Sequence, residues 1–580
     1  MTVQWVTPDE QPWVARWGSL AVALLVTAPV LAPGFVLVGD MVFVPQQDLD
    51  RDALGLAGGL PRAVPADAVT ALVTAVVPGD LVQKLVLVGI VLTAVLGAAR
   101  LVPPGPDGRR GVAAAAAGLA YGWSPYLGER LLMGHWSLLL AYAALPWVVR
   151  AALRLRAGDP GALPRLVLTL APAALTPTGA LLAGGVALVV VGRHRAAGPV
   201  AAGVVLLSLP WVLAGLLHPG GGGSDGAGVD AFAARAEGWG GTLVSLLGTG
   251  GIWNADAVPG SRTSVLLPVV TLLLVGLAAW GWRTPGALRG PGGRLVLLGA
   301  GGLLLALAGT VPGARELLRL VVEDVPGGGL LRDGQKWVAW WALPLALGVG
   351  LAARRAAQLR LGLPVGHAVL ARVLVAAALL LPVVAVPDLA WGVGGRLQPV
   401  EYPADWSAVR EAVAADDGPG DVLVLPFSAV RAFGWNDDRP QLDPAPRWLP
   451  RTTLVSDLLV VDGRAVDGDD ARARAAAAVA GDPAALARLG VGWVLVERGT
   501  PGAATPAGLA GLDRVVDGEW LQLLRVPDAQ EPPAPATSRL VAVVAGHLLA
   551  GGSVIVSWLW LAGSAVTVSL RQRHPGKRYR

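Results

Sequence analysis

The chain predicts a mainly α-helical, polytopic membrane fold of about twelve transmembrane helices, with a small α/β domain before the last helix. Three observations carry this. Of 580 residues, 54% are hydrophobic and only 15% are charged, whereas soluble domains carry about 25% charge. Apolar runs recur along the chain, and the first, residues 17–38, matches the roughly 20 residues that cross a bilayer. Strand and helix patterns alternate only late in the sequence, over 388–535.

Composition excludes several classes of function. Cysteine is absent, which removes disulfide frameworks and thiol catalysis. The histidines at 135, 194, 218, 367, 547 and 574 do not pair at metal-ligand spacing. A pI near 9.9 invites nucleic acid as a partner. The arginines instead cluster in short loops between apolar runs, which is a topology signal, and no nucleic-acid partner is expected. The glycine clusters lack the G-x-x-x-x-G-K-[ST] pattern of a phosphate loop, and no G-x-S-x-G triad is evident.

The basic sites begin with Arg16, then Arg100, Arg109 and Arg110, and recur to the tail at 571–580. Placing all of them in the cytoplasm requires an even number of crossings between neighbouring clusters. The spans that satisfy this are 17–38, 81–100, 111–125, 136–153, 164–176, 178–192, 197–217, 264–282, 295–311, 337–353, 367–387 and 539–569. Both termini are then cytoplasmic in a multi-pass plasma-membrane protein, and the first span is expected to be a retained anchor. The stretch 164–192 is too long for one span and short for two. Thr176-Pro177-Thr178-Gly179 at its centre reads as a turn, so a hairpin of short helices is expected.

Three regions follow: a multi-span portion 1–387, an extracytoplasmic α/β domain 388–535, and a final span with a basic tail, 536–580. Within the first outer loop, 39–80, residues 65–77 read as an interfacial helix. The third outer loop carries a flexible glycine run at 220–223. In the α/β domain, 422–427, 491–497 and 520–526 read as strands, and the alanine-rich 471–489 reads as helix.

Charged residues at the edges of the spans are the candidate site, because a charge near hydrocarbon is costly unless it is paired or used. Asp40 ends the first span. A partly desolvated carboxylate there can act as a general base, or simply close a helix at the interface. Asp48-Leu49-Asp50 follows, a spacing that suits a divalent metal, or a solvated acidic turn. The second outer loop holds Glu129, Arg130 and His135 among aromatics expected at this depth. The fourth ends Arg332-Asp333-Gly334-Gln335-Lys336-Trp337. Its two cations stand on the outer side, against the usual bias, and suit a lipid phosphate or an anchor pair beside a tryptophan.

Several of these features resemble the GT-C superfamily of polytopic membrane glycosyltransferases. The likeness runs to actinobacterial arabinofuranosyl- and mannosyltransferases that use polyprenyl-phosphate sugars, and to the related YfhO-type membrane proteins. It rests on Gly39-Asp40 opening the first outer loop, the interfacial helix after it, the many spans and the late α/β segment. The phrases Glu129-Arg130-Leu131-Leu132-Met133-Gly134-His135-Trp136 and Leu486-Ala487-Arg488-Leu489-Gly490-Val491-Gly492-Trp493-Val494 belong to the same likeness. The resemblance implies that Asp40 is the catalytic acid. The usual adjacent second acid is replaced by Met41 and Val42, leaving Asp48 or Asp50 to substitute, with or without a divalent metal. It further implies a polyprenyl-phosphate sugar donor, an envelope glycan or glycolipid acceptor, and inverting transfer. Arg130, Arg332 and Lys336 would receive the donor phosphate, with Glu129, His135 and Asp333 in support. Two other readings stay open. A lipid-linked glycan transporter or flippase would expect intramembrane charges and internal repeats, and the spans are nearly free of acids. A non-catalytic cell-envelope assembly protein would use the α/β domain as its binding module.

Overall fold

The computed structural model describes residue 5 and residues 13–105, 110–219, 224–359, 365–461, 463–466, 468 and 470–573. Arg109, the glycine run at 220–223 and the basic tail from 574 onward lie outside the described residues.

Each apolar stretch read from the sequence carries a helix, from Trp13–Thr27 and Gly79–Leu101 through to Val365–Ala385 and Thr537–Arg573. Among the described residues, seven helices are long and apolar enough to cross a membrane. Shorter apolar helices occupy Arg16–Leu31, Ala162–Leu175, Pro177–Val191 and Leu267–Trp282, and Gly111–Gly122 has only 12 residues. Fewer helices than the twelve expected therefore have spanning length on their own. The stretch 164–192 does break in two. Thr176 caps the second helix, its hydroxyl accepting from Gly179 N–H at 3.1 Å, with Pro177 as the first helical residue. Proline lacks an N–H and pushes the preceding residue out of the α region, so one helix stops there and another starts.

The segment Gly334–Gln358 is the hub of the helical layer and the most buried of the seven. Its helix, Ala339–Gln358, packs on Gly111–Gly122, Leu267–Trp282, Pro291–Ala308 and Val365–Ala385. Ala197–Leu216 and Thr537–Arg573 lie at the rim and pack on each other, with leucine, valine and tryptophan side chains left exposed. Such a surface is stable in hydrocarbon rather than water. The helix Ala66–Thr74 lies where the interfacial helix was expected. It buries its alanines and leaves Val69, Leu72 and Val73 exposed as one apolar stripe.

The late region forms a five-stranded mixed sheet. Its strands are β1 (Asp421–Leu425), β2 (Thr453–Leu454), β3 (Val491–Glu497), β4 (Asp513–Asp517) and β5 (Leu521–Arg525), in the order β4-β5-β3-β1-β2. β1 runs parallel to β2 and β3, while β5 runs antiparallel to β3 and β4. β1 and β3 are buried along their whole length, as runs rich in valine and leucine on both faces require. One face packs on Trp406, Trp448 and Phe433, the other on Ala473, Ala476 and Leu486. The helix expected over 471–489 is two helices, Ala471–Ala478 and Pro483–Arg488. Asp482 caps the second, accepting from Ala485 N–H at 3.1 Å.

The first loop is stitched to this sheet region. Phe35–Val36 pairs antiparallel with Pro399–Val400. Gly39 N–H donates to the Pro440 carbonyl and the Gly39 carbonyl accepts from Leu442 N–H, both at 2.8 Å. Asp48 pairs with Arg410 at 2.7 Å and Asp67 with Arg447 at 3.1 Å. Asp40 thus sits where the helical layer and the sheet region meet.

Candidate active site

Two glycines bring two loops together backbone to backbone. Gly39 has φ +52°, and a Cβ on it would lie 2.2 Å from the Met133 carbonyl oxygen. Gly134 has φ +72°, and a Cβ there would lie 2.2 Å from the Val38 carbonyl oxygen. Only glycine tolerates both the left-handed backbone and the close approach. Asp40 N–H donates to Met133 O at 3.0 Å. The residue after each glycine, Asp40 and His135, therefore faces the other.

From that junction a polar chain runs inward. His135 Nε2 lies 3.3 Å from Asp40 Oδ2, and Nδ1 lies 2.9 Å from an Arg130 terminal nitrogen. A guanidinium can only donate, so Nδ1 accepts and the ring proton sits on Nε2, directed at Asp40. Arg130 grips Asp333 with two bonds, at 2.8 and 3.0 Å, and donates from Nε to Gln335 at 2.8 Å. Lys336 Nζ lies 3.7 Å from Asp333. Gln335 in turn donates to Glu129 at 3.0 Å, and Glu129 also accepts from Ile252 N–H at 3.2 Å.

Asp40 is the accessible end of this chain. Its side chain is 55% exposed, against 12% for His135, 7% for Asp333 and none for Arg130. Partial desolvation by the surrounding loops pushes the Asp40 carboxyl up, but the His135 hydrogen bond and the charges of Lys336 and Arg447 outweigh it and hold the carboxyl below the ordinary aspartate value. Burial, aided by the charges of Arg130 and Lys336, overrides the pull of Asp40 and holds the His135 imidazolium pKa down. At neutral pH the pair is a carboxylate accepting from a neutral imidazole. For Asp333 burial is again opposed, here by Arg130 and Lys336, and the carboxyl stays well below the usual range.

At the inner end Glu129 is wholly buried. Burial and the adjacent Glu237 push it well above the ordinary carboxylate range. Its Oε1 has no donor. A proton on that oxygen resolves both facts, since it can be donated to Glu237. Arg262 closes the chain, donating to Glu237 from Nε at 2.9 Å.

The remaining sequence candidates lie apart. Arg332 stacks on Phe232, 4.8 Å from the ring centre. Asp48 is paired with Arg410, and Asp50 accepts from Ala53 N–H at 2.9 Å. Burial and the charges of Asp67 and Asp48 push Asp50 up to about 6. Among the described residues no group of three or more histidine and carboxylate side chains is placed to hold a metal. Gln335, Glu237, Arg262, Asp67 and Arg447 were not singled out from the sequence. Gln335 stood unremarked between Asp333 and Lys336. For Arg447 there was no local signal at all, because its partner Asp67 lies 380 residues away.

These features define a largely helical membrane protein in which Asp40 is the accessible end of a buried polar chain. Its fold is similar to that of the arabinofuranosyltransferase AftD from Mycobacteria, solved by single-particle cryo-electron microscopy. The TM-score is 0.54 and the identity 17%, over 90% of this chain and 42% of that enzyme. A second class of AftD matches at TM-score 0.48 and 16% identity, over 91% of this chain and 42% of that one. The chain thus spans less than half the length of the enzyme it resembles, and the likeness is one of fold. No protein-family model and no curated protein matches the chain.

Proposed function

We propose that the protein is a membrane glycosyltransferase, moving a sugar from a polyprenyl-phosphate donor to an envelope glycan or glycolipid acceptor on the extracytoplasmic face. The observation that carries this reading is the hydrogen-bonded chain from accessible Asp40 through His135 and Arg130 to Asp333. In it every buried member has a partner, and one carboxylate is left to meet a substrate.

Asp40 removes the proton of an acceptor hydroxyl as its oxygen attacks the anomeric carbon. The new C–O bond forms as the bond from that carbon to the phosphate oxygen breaks, and polyprenyl phosphate leaves with the electron pair. Attack opposite the leaving group inverts the anomeric centre. Charge gathering on the phosphate needs a cation. Lys336, part-exposed and close enough to Asp40 to lower its proton affinity, is the candidate. Arg130, fully enclosed by Asp333, Gln335 and His135, serves by fixing them rather than by touching the donor. His135 orients Asp40 through its Nε2 proton.

The test is transfer from a polyprenyl-phosphate sugar by the purified protein. Asp40→Asn is expected to cut the rate by about 10²–10⁴-fold with the unfolding temperature unchanged. Full activity in that variant removes Asp40 from the mechanism.

A further inference from the structure

A cavity of 580 Å³ shares no residue with the chain that begins at Asp40. It lies where four elements meet: the turn 51–58, the end of helix Ala197–Leu216, the β2 edge of the sheet, and the first turns of the last helix. Its size falls within the roughly 300–1,000 Å³ of small-molecule sites. The walls are tied together. His218 Nε2 bonds to the Gly58 carbonyl at 2.9 Å, and Arg539 donates to the carbonyls of Gly55 and Leu56 at 3.1 and 3.3 Å.

The lining is amphipathic. Leu56, Leu217 and Ala542 form an apolar side, while Arg51, Arg472 and Arg539 face Asp421 and Asp470. Three arginines against two aspartates leave one net positive charge. Arg472 and Asp421 neutralise each other at 2.5 Å, and Asp470 caps a helix by accepting from Ala473 N–H at 2.9 Å. That leaves Arg51 and Arg539, with the Asp470 carboxylate still charged beside them. Arg539 is only 8% exposed, and its Nε has no partner. That nitrogen is closed off from solvent and both terminal nitrogens are bonded, so Arg539 brings charge to the cavity rather than a free donor.

We propose that this cavity binds a phosphate-bearing ligand, with phosphate oxygens on the Arg51 guanidinium beside the Arg539 charge and an apolar portion against Leu56, Leu217 and Ala542. Guanidinium groups match phosphate with paired hydrogen bonds. The site lies at the first turn of the last apolar helix, the level at which lipid headgroups meet a membrane protein. A phospholipid and a soluble phosphate compound share this chemistry.

The test uses the full chain in a sugar-headed detergent, with binding followed by native mass spectrometry. The probes are a short-chain phosphatidylglycerol, inorganic phosphate, and a diacylglycerol of the same chain length. Saturable binding of phosphatidylglycerol but not of diacylglycerol is expected. It should be weakened about tenfold by Arg51→Gln, which removes one charge-assisted contact, and lost on filling the cavity with Ala542→Trp. If inorganic phosphate binds as well as the lipid and responds to both variants, the site stands and its occupant is a soluble phosphate compound. Absence of saturable binding by either phosphate probe, or binding indifferent to both variants, overturns it. The readout does not involve sugar transfer, so Asp40→Asn should leave it unchanged and the two proposals fail separately.

Discussion

Asp40 and His135 act on each other in opposite senses. The imidazole donates to the carboxylate and helps hold its proton affinity below that of an ordinary aspartate. The acid limb of kcat/KM for transfer should therefore lie below about pH 4, the usual aspartate value. His135→Ala takes the donor away, raises the Asp40 pKa and moves that limb to higher pH. Lost orientation should also cut the rate at neutral pH by about 100-fold. An unshifted limb would show that His135 does not act on Asp40. Glu129 gives a second residue-scale expectation, because burial and the adjacent Glu237 favour its protonated form. Glu129→Gln keeps an acceptor for Gln335 and Ile252 and a donor for Glu237, and should leave the unfolding temperature nearly unchanged. Glu129→Ala leaves those groups unpaired and should cost about 1–3 kcal/mol, read from the same unfolding curves. Equal effects of the two variants would mean that the carboxyl is ionised.

The elements that matter most are the two loops that glycine allows to touch. Gly134→Ala places a Cβ 2.2 Å from the Val38 carbonyl oxygen and adds about 1–2 kcal/mol for a left-handed alanine. The loops must separate, so transfer should fall together with the unfolding temperature. A stable variant with unchanged transfer would sever the link between the junction and the site. Element types were largely legible in the sequence. Apolar runs long enough to be helices, and the caps at Thr176-Pro177 and Asp482-Pro483, stand in the chain as local signals. The second of these was read through as continuous helix, because alanine-rich flanks favour helix on both sides. The two-residue strand β2 left no period to detect.

At the scale of the whole molecule, the first loop is held between the helical layer and the sheet region. Asp67 and Arg447 are its most distant ionic tie, both largely buried. Arg447 also lies close enough to Asp40 to lower its proton affinity. A double-mutant cycle over Asp67→Asn and Arg447→Gln should return a coupling of about 0.5–3 kcal/mol in unfolding free energy. Arg447→Gln alone should raise the Asp40 pKa and move the acid limb upward. A coupling of zero would make the tie incidental to how the sheet region is seated.

The sequence by itself determined that the chain is helical and apolar, that a sheet follows late, and that a few charges stand at the ends of apolar runs without obvious structural need. Those properties are local: hydrophobic length, caps and the cost of charge near hydrocarbon act on neighbouring residues. Only the tertiary structure decided which charges meet. Asp40, His135, Arg130, Asp333 and Lys336 converge, Asp48 is taken by Arg410, and Arg332 turns onto Phe232. A hydrogen bond depends on distance and direction between groups that may be hundreds of residues apart, and nothing in either local stretch encodes that separation.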